Sequence, residues 1–242
     1  MQDTSLLDRI RVVLTRTSHP GNIGAAARAM KTMGLSRLVL VAPDSFPDPV
    51  ADARASGALD VLNAAVVVPT LADALHGTVF SAALTARRRE LSLPLQMPRQ
   101  AAPELVRYAQ GGDVALVFGT ESSGLTNDEV ALCSMPVTIP ANPAYSSLNL
   151  AAAVQLLCYE LRLAALDETA AQTPPEDAAR FEDVEGFYAH LEDAMRDSGF
   201  YDPATSRRLL PRLRRLFGRI RLERDEINIL RGIVAAMQRK PD

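Results

Sequence analysis

HPGNIGAAARAMKTMGL, residues 19–35, sets the fold class of this chain, because it joins an apolar run to a helical pattern through a glycine turn. The run is IRVVLT (10–15), a strand by its β-branched content, and the helix over 22–33 stops at Gly34. Glycine reaches the left-handed conformation cheaply and so ends helices. The same grammar recurs about a hundred residues later, where FGTESSGL (118–125) follows the apolar VALVFG and leads towards IPANPAYSSLNLA (139–151). Strand, turn and helix in alternation build a parallel sheet. Both islands then fall at the carboxyl ends of strands, the edge at which open α/β sheets bind ligands.

Between the islands the pattern continues. RLVLVAP (37–43), AAVVVP, TVFSAAL and VALVFG read as short buried parallel strands, and MPVTIP (135–140) as the last one. Helical stretches at 51–56, 71–75, 103–110 and 126–132 separate them. The expected fold is α/β, a parallel sheet with helices on both faces. After SSLN, the residues Leu150, Val154, Leu157 and Leu161 recur on one helical stripe, with Ser147 as the expected N-cap.

Beyond residue 166 the text turns acidic and carries prolines, as a linker does. Only helical patterns follow. One spans 181–197 and a second runs from Asp202-Pro203 to about 220, with Pro211 expected to kink or restart it. A third spans 223–238, its apolar face being Ile227, Leu230, Val234 and Met237. The chain thus divides into an α/β domain (1–166), an acidic linker (167–180) and a small helical extension (181–242).

Composition narrows the function. A chain of 242 residues that is 48% hydrophobic can bury a sizeable core, yet no uninterrupted apolar run reaches the ~18 residues of a membrane span. The amino terminus carries acids and lacks the apolar stretch of a secretory signal. Cys133 and Cys158 have no metal-ligand spacing and read as buried, reduced thiols. A cytoplasmic protein is expected, with no membrane partner.

The net charge of −3 conceals two opposed blocks. Residues 167–202 hold eleven acids against Arg180 and Arg196, whereas residues 207–221 hold seven arginines and no acid. Such a basic stripe is an electrostatic footprint for nucleic acid.

The islands offer glycines for close backbone approach (Gly21, Gly24, Gly119, Gly124) and oriented polar groups in Asn22, Ser146, Ser147 and Asn149. Arg28 supplies a fixed cation beside them, while Arg87 and Arg89, just past TVFSAAL, suit phosphate oxygens. No GxGxxG fingerprint, P-loop or Cys/His zinc cluster is present, so classical dinucleotide, nucleoside-triphosphate and metal chemistry recede. The histidines at 19, 76 and 190 are scattered, and His19 in its turn is more readily structural than a general base.

HPGNIGAAARAMKTMG, FGTESSGLTNDE and IPANPAYSSLNLAAAVQ resemble the three signature motifs of the SPOUT superfamily of RNA methyltransferases. Within it the chain most resembles the bacterial TrmJ family, tRNA 2′-O-methyltransferases acting on cytidine or uridine at position 32. The likeness continues through LRRLFGRI and EINILRGI. It implies a trefoil-knotted domain, although threaded chains are otherwise almost absent from proteins. It also implies a homodimer whose sites are completed by the partner, with S-adenosylmethionine as cofactor and tRNA as substrate. The positions matching cofactor contacts are Thr85, Ala86, Gly119, Glu121, Gly124, Ile139, Ser146, Ser147 and Leu148. Arg28 matches the catalytic arginine, with Asn22, Ser147 and Asn149 beside it in the motifs. Arg87 and Arg89 match RNA-contacting positions, to which the tail adds Arg207, Arg214 and Arg215. Thr120 stands where relatives often carry arginine, which removes an RNA contact from that position.

A free arginine has a pKa of about 12.5–13.8, so Arg28 as a simple general base is physically poor. The better expectation is that it binds phosphate and stabilises the developing alkoxide. Two other readings remain open from sequence: a catalytically silent RNA-binding module, and an enzyme of the same fold with another RNA target.

Overall fold

The computed structural model describes residues 4–86, 93–167 and 177–239. Six parallel strands form one sheet: β1 (Ile10–Thr15), β2 (Arg37–Val41), β3 (Val66–Val68), β4 (Thr78–Leu84), β5 (Asp113–Phe118) and β6 (Met135–Val137). Their spatial order is β3-β2-β1-β5-β4-β6. Alternation of side chains divides the central strands β1, β2 and β5 between two cores. Val12, Leu14, Leu38, Leu40, Leu116 and Phe118 join the larger one, while Val13, Val39, Val41, Ala115 and Val117 join the smaller one on the opposite face. A strand buried on both faces must be apolar at successive positions, which is why these runs read as continuous rather than alternating.

Helices α1 (Pro20–Met33), α2 (Pro49–Ala55), α3 (Leu59–Asn63), α4 (Leu71–Leu75), α5 (Pro98–Ala109), α6 (Asn127–Ala131) and α7 (Leu150–Leu166) connect and cover the strands. The α1 stop at Gly34 has φ 86°, and the Gly34 and Leu35 amides donate to Lys31 and Met30 carbonyls. Leu150, Val154, Leu157 and Leu161 are all buried, as their spacing demands. α5 starts at Pro98, five residues before the expected start, so Pro103 lies inside it.

The N-cap of α7 is Asn149, not Ser147: the Asn149 side chain accepts the Ala151 and Ala152 amides. Ser147 lies exposed upstream of the helix. Since β6 lies at the sheet edge beyond β4, whereas α7 packs on α1, residues 138–149 recross the carboxyl ends of β4 and β5.

The carboxyl-terminal part is helical: α8 (Phe181–Asp197), α9 (Leu209–Gly218) and α10 (Arg224–Gln238) surround Phe187, Tyr188, Leu222 and Ile227. The second helix begins seven residues later than Asp202, because Asp202 instead caps a turn by accepting the Ala204 amide. Pro211 thus falls in the first turn of α9, where its missing N–H costs nothing and no kink results. Met237, expected on the apolar face of α10, is 79% exposed. Among the described residues no helix is long and apolar enough to cross a membrane. Cys133 and Cys158 are free and buried, and burial pushes both thiols up to about 12.

Candidate active site

The carboxyl edge of β1 and β5 brings the three motifs to one point. His19 caps α1 through its Nδ1, which accepts the Gly21 amide at 3.0 Å; the ring is thereby committed to the turn. From the loop after β5, Glu121 reaches across. One of its oxygens accepts the Ser18 amide and hydroxyl, both at 3.1 Å, and the other accepts the His19 amide at 3.3 Å and Asn22 Nδ2 at 2.9 Å. Asn149 Nδ2 then donates to Asn22 Oδ1 at 2.9 Å. A carboxylate only accepts, so Asn22 must turn its amide nitrogen to Glu121 and its oxygen to Asn149. Asn149 in turn must point its own oxygen at the α7 amides. Every amide in this chain of contacts has one permitted orientation.

Burial pushes the Glu121 carboxyl up, but the Asn22 amide and the backbone N–H groups outweigh it and hold the group below its ordinary value. Glu121, expected among cofactor contacts, is therefore saturated by the first motif. Deeper in, Arg16 (φ 44°) turns the chain after β1 and pairs with Glu129 of α6 at 2.6 and 3.0 Å. Burial raises that carboxyl too; Arg16 and the Thr126 amide bring it below the usual range.

Two of the glycines are required by close backbone packing. A Cβ on Gly24 would lie 2.0 Å from the Ala51 carbonyl oxygen, where α1 meets α2, and one on Gly119 would lie 2.1 Å from the Gly124 carbonyl carbon. Gly119 thus lets the 119–125 loop fold back on itself. Gly124 takes φ 69° and faces open space. Thr120 is used inside this loop, its hydroxyl 2.9 Å from that of Ser123.

The remaining cofactor positions line the same edge. Thr85 is buried after β4 with its amide on the Val137 carbonyl, Ala86 is exposed, and Ile139 is half-buried past β6. Ser146, Ser147 and Leu148 are exposed, and their backbone groups have no hydrogen-bond partner among the described residues. Unpaired donors and acceptors beside apolar Ile139 and Leu148 fit a ligand that is part heterocycle and part charged amino acid.

Arg28 stands on the exposed face of α1, without an ion-pair partner among the described residues. It lies six positions after Asn22 on α1, about 9 Å along the helix axis. Arg87 and Arg89 lie outside the described residues. In the tail, Arg207 and Arg215 are exposed, but Arg214 turns inward: it grips Glu185 at 2.5 and 2.7 Å and lies 4.4 Å from the Tyr188 ring centroid.

Two features escaped the reading of the sequence. Ser18 contributes both its amide and hydroxyl to Glu121, a role no local pattern signals. The outer face of α7 shows Leu156, Tyr159 and Leu163, each more than 40% exposed, with Leu148 and Tyr145 just upstream. Its signal was available, since LAAAVQLLCYELRLAAL is apolar nearly all round. Among the described residues no His, Cys, Asp and Glu group could hold a metal.

Comparison with known proteins meets this geometry. Residues 9–159 match the SpoU rRNA Methylase family, and residues 182–242 match the tRNA methyltransferase TrmJ C-terminal domain. The tRNA (cytidine/uridine/adenosine-2′-O-)-methyltransferase TrmJ of Pseudomonas aeruginosa is 51% identical over 97% of this chain and 95% of its own length. The tRNA (cytidine/uridine-2′-O-)-methyltransferase TrmJ of Pectobacterium atrosepticum is 48% identical, over 98% of this chain and 100% of its own. A crystal structure of TrmJ from Z. mobilis ZM4 superposes with a TM-score of 0.83 at 37% identity, covering 95% of this chain and 99% of that one. The chain belongs to the SpoU methylase family and, over nearly its whole length, to its TrmJ tRNA 2′-O-methyltransferases.

Proposed function

We propose that this enzyme methylates the ribose 2′-oxygen of residue 32 in the tRNA anticodon loop, accepting cytidine and uridine, with S-adenosylmethionine as donor. The observation that carries it is the contact chain Glu121–Asn22–Asn149, which locks all three motifs at one strand edge beside unpaired backbone groups. When bound, the cofactor supplies a methyl group already activated on sulfur, so the protein's task is alignment. Holding reactants in line is worth about 7–11 kcal/mol in favourable cases. Ser146, Ser147 and Leu148 hold the cofactor through backbone groups, with Thr85, Ala86, Gly119, Gly124 and Ile139 shaping its walls. Asn149 and Ser147 orient the ribose. Arg28 binds the flanking phosphate and stabilises the developing alkoxide while the 2′-proton passes to that phosphate or to water, a role suited to a guanidinium that keeps its charge.

The exposed α7 stripe supports a homodimer, because an apolar helix face of this length is costly in water. A partner docked there supplies the Arg28 that completes the site. Arg212, Arg215 and Arg219 recur at a spacing that makes one outward stripe on α9, and with Arg207, Arg87 and Arg89 they give phosphate contacts.

Incubation with unmodified bulk tRNA and labelled S-adenosylmethionine, followed by digestion and mass mapping, tests the reading. Label on the 2′-oxygen of residue 32 supports it. Label elsewhere leaves the methyltransferase and discards the target, and no label at all favours a silent RNA-binding module.

A further inference from the structure

Arg221 occupies a backbone position that side chains avoid: its φ is 53°, in the left-handed region that glycine enters without cost. It lies between α9 and α10, and its side chain crosses to the α/β unit. There the guanidinium pairs with Glu104 of α5 and sits 4.9 Å from the ring centroid of Phe80 and 5.9 Å from that of Tyr108. Those two rings are themselves stacked at 4.2 Å. Glu104 also accepts from Arg107, whose guanidinium is 4.7 Å from the Tyr108 centroid. An arginine kept where glycine would be easier points to use of its side chain.

Among the described residues the units also meet where Phe181 packs against the smaller sheet core and Ala178 against the larger one. Glu182 in the first turn of α8 accepts the Gly77 amide at 2.9 Å, and α8 touches β4. Around these anchors the described residues line an open pocket of about 750 Å³, with Phe80, Tyr108, Tyr188, Phe217 and Arg221 among its walls. Units joined through a limited interface move relative to one another by default, so a directional anchor such as Arg221 helps to fix their orientation.

We propose that Arg221 is a positioning residue: it holds the arginine stripe of α9 at a fixed place relative to the carboxyl-edge site and so sets tRNA affinity. This rests on the reading that the chain methylates tRNA. The anchors lie at the opposite end of the sheet from the reaction, since Gly77 and Phe80 flank the start of β4 and Tyr108 the end of α5. The seven residues of β4 span on the order of 20 Å. A substrate that meets both regions must bridge that distance, and a tail free to swing would offer its arginines in the wrong place.

Two variants of the full chain keep the test independent of folding. Arg221→Gly removes the anchor while relieving the backbone, and Arg221→Lys keeps the charge but loses the planar fork. Spin labels on Asp52→Cys of α2 and Asp225→Cys of α10 report the distance between units, since both native thiols are buried. Arg221→Gly is expected to broaden that distance distribution and raise KM for tRNA about tenfold. Turnover at saturating tRNA and affinity for S-adenosylmethionine should stay within about twofold, and Arg221→Lys should fall between. An unchanged distance distribution overturns the proposal, as does a loss confined to kcat. If the unaltered chain labels no tRNA, the functional reading fails, while the distances still decide whether Arg221 holds the seam.

Discussion

Glu121 accepts four hydrogen bonds from donors on both sides, so an isosteric amide cannot replace it: one oxygen would become an NH2 group facing other donors. Glu121→Gln should therefore lower thermal stability by about 1–3 kcal/mol and methyl transfer by at least about tenfold, read by calorimetry and initial rates. Stability close to the unaltered chain would show that the network is not held as drawn. The pH dependence has a definite sign. The folded carboxyl titrates below its ordinary value of 4.5, so its contribution is complete above that value and is lost as pH falls through the lower, folded one. Acid unfolding below about pH 4.5 should consequently be shallower in Glu121→Gln than in the unaltered chain. Asn22, Asn149 and Arg28 could be singled out from their place in the motifs, and the structure joins the first two directly. That Glu121 accepts from Ser18, His19 and Asn22 was not legible, because those donors lie about a hundred residues earlier in the chain.

At the scale of elements, the strands and α1 could be read almost to the residue, since burial on both faces forces continuous apolar runs and Gly34 forces the stop. The start of α7 could not. SSLN offers three residues able to cap a helix, and the choice of Asn149 is made by its tertiary contact with Asn22. This separates two roles that one substitution would confound. Asn149→Ser can still cap α7, so stability should change by less than about 1 kcal/mol, yet the link to Asn22 is lost and turnover should drop. Asn149→Ala should lose both. Equal turnover in Asn149→Ser and the unaltered chain would reduce Asn149 to a cap. Gly24 makes the complementary case for packing: an added Cβ meets the Ala51 carbonyl at 2.0 Å, with backbone on both sides and nothing able to swing away. Gly24→Ala should cost about 1–3 kcal/mol, measured by denaturant unfolding, and should displace Asn22 and Arg28 with the helix that carries them.

At the scale of the molecule, a single chain assembles the Glu121–Asn22–Asn149 cluster but leaves Arg28 outward and alone, while α7 carries an apolar stripe with nothing upon it among the described residues. A two-fold interface along α7 would cover the stripe, and if each site is shared it would pair one subunit's Arg28 with its partner's cluster. Charge placed on the stripe, as Leu156→Glu with Leu163→Glu, should then yield a folded monomer that has lost turnover, seen by light scattering and labelling together. Mixing tests the sharing directly. Arg28→Ala and Asn149→Ser are each expected to be inactive as pure proteins. If each site draws Arg28 from one subunit and Asn149 from the other, every mixed dimer contains one intact site. Random exchange then restores about a quarter of normal activity. If Arg28 instead serves its own subunit, no mixed dimer has an intact site and the mixture stays silent, which would return the arginine to its own chain and leave the α7 stripe to be explained by stability alone.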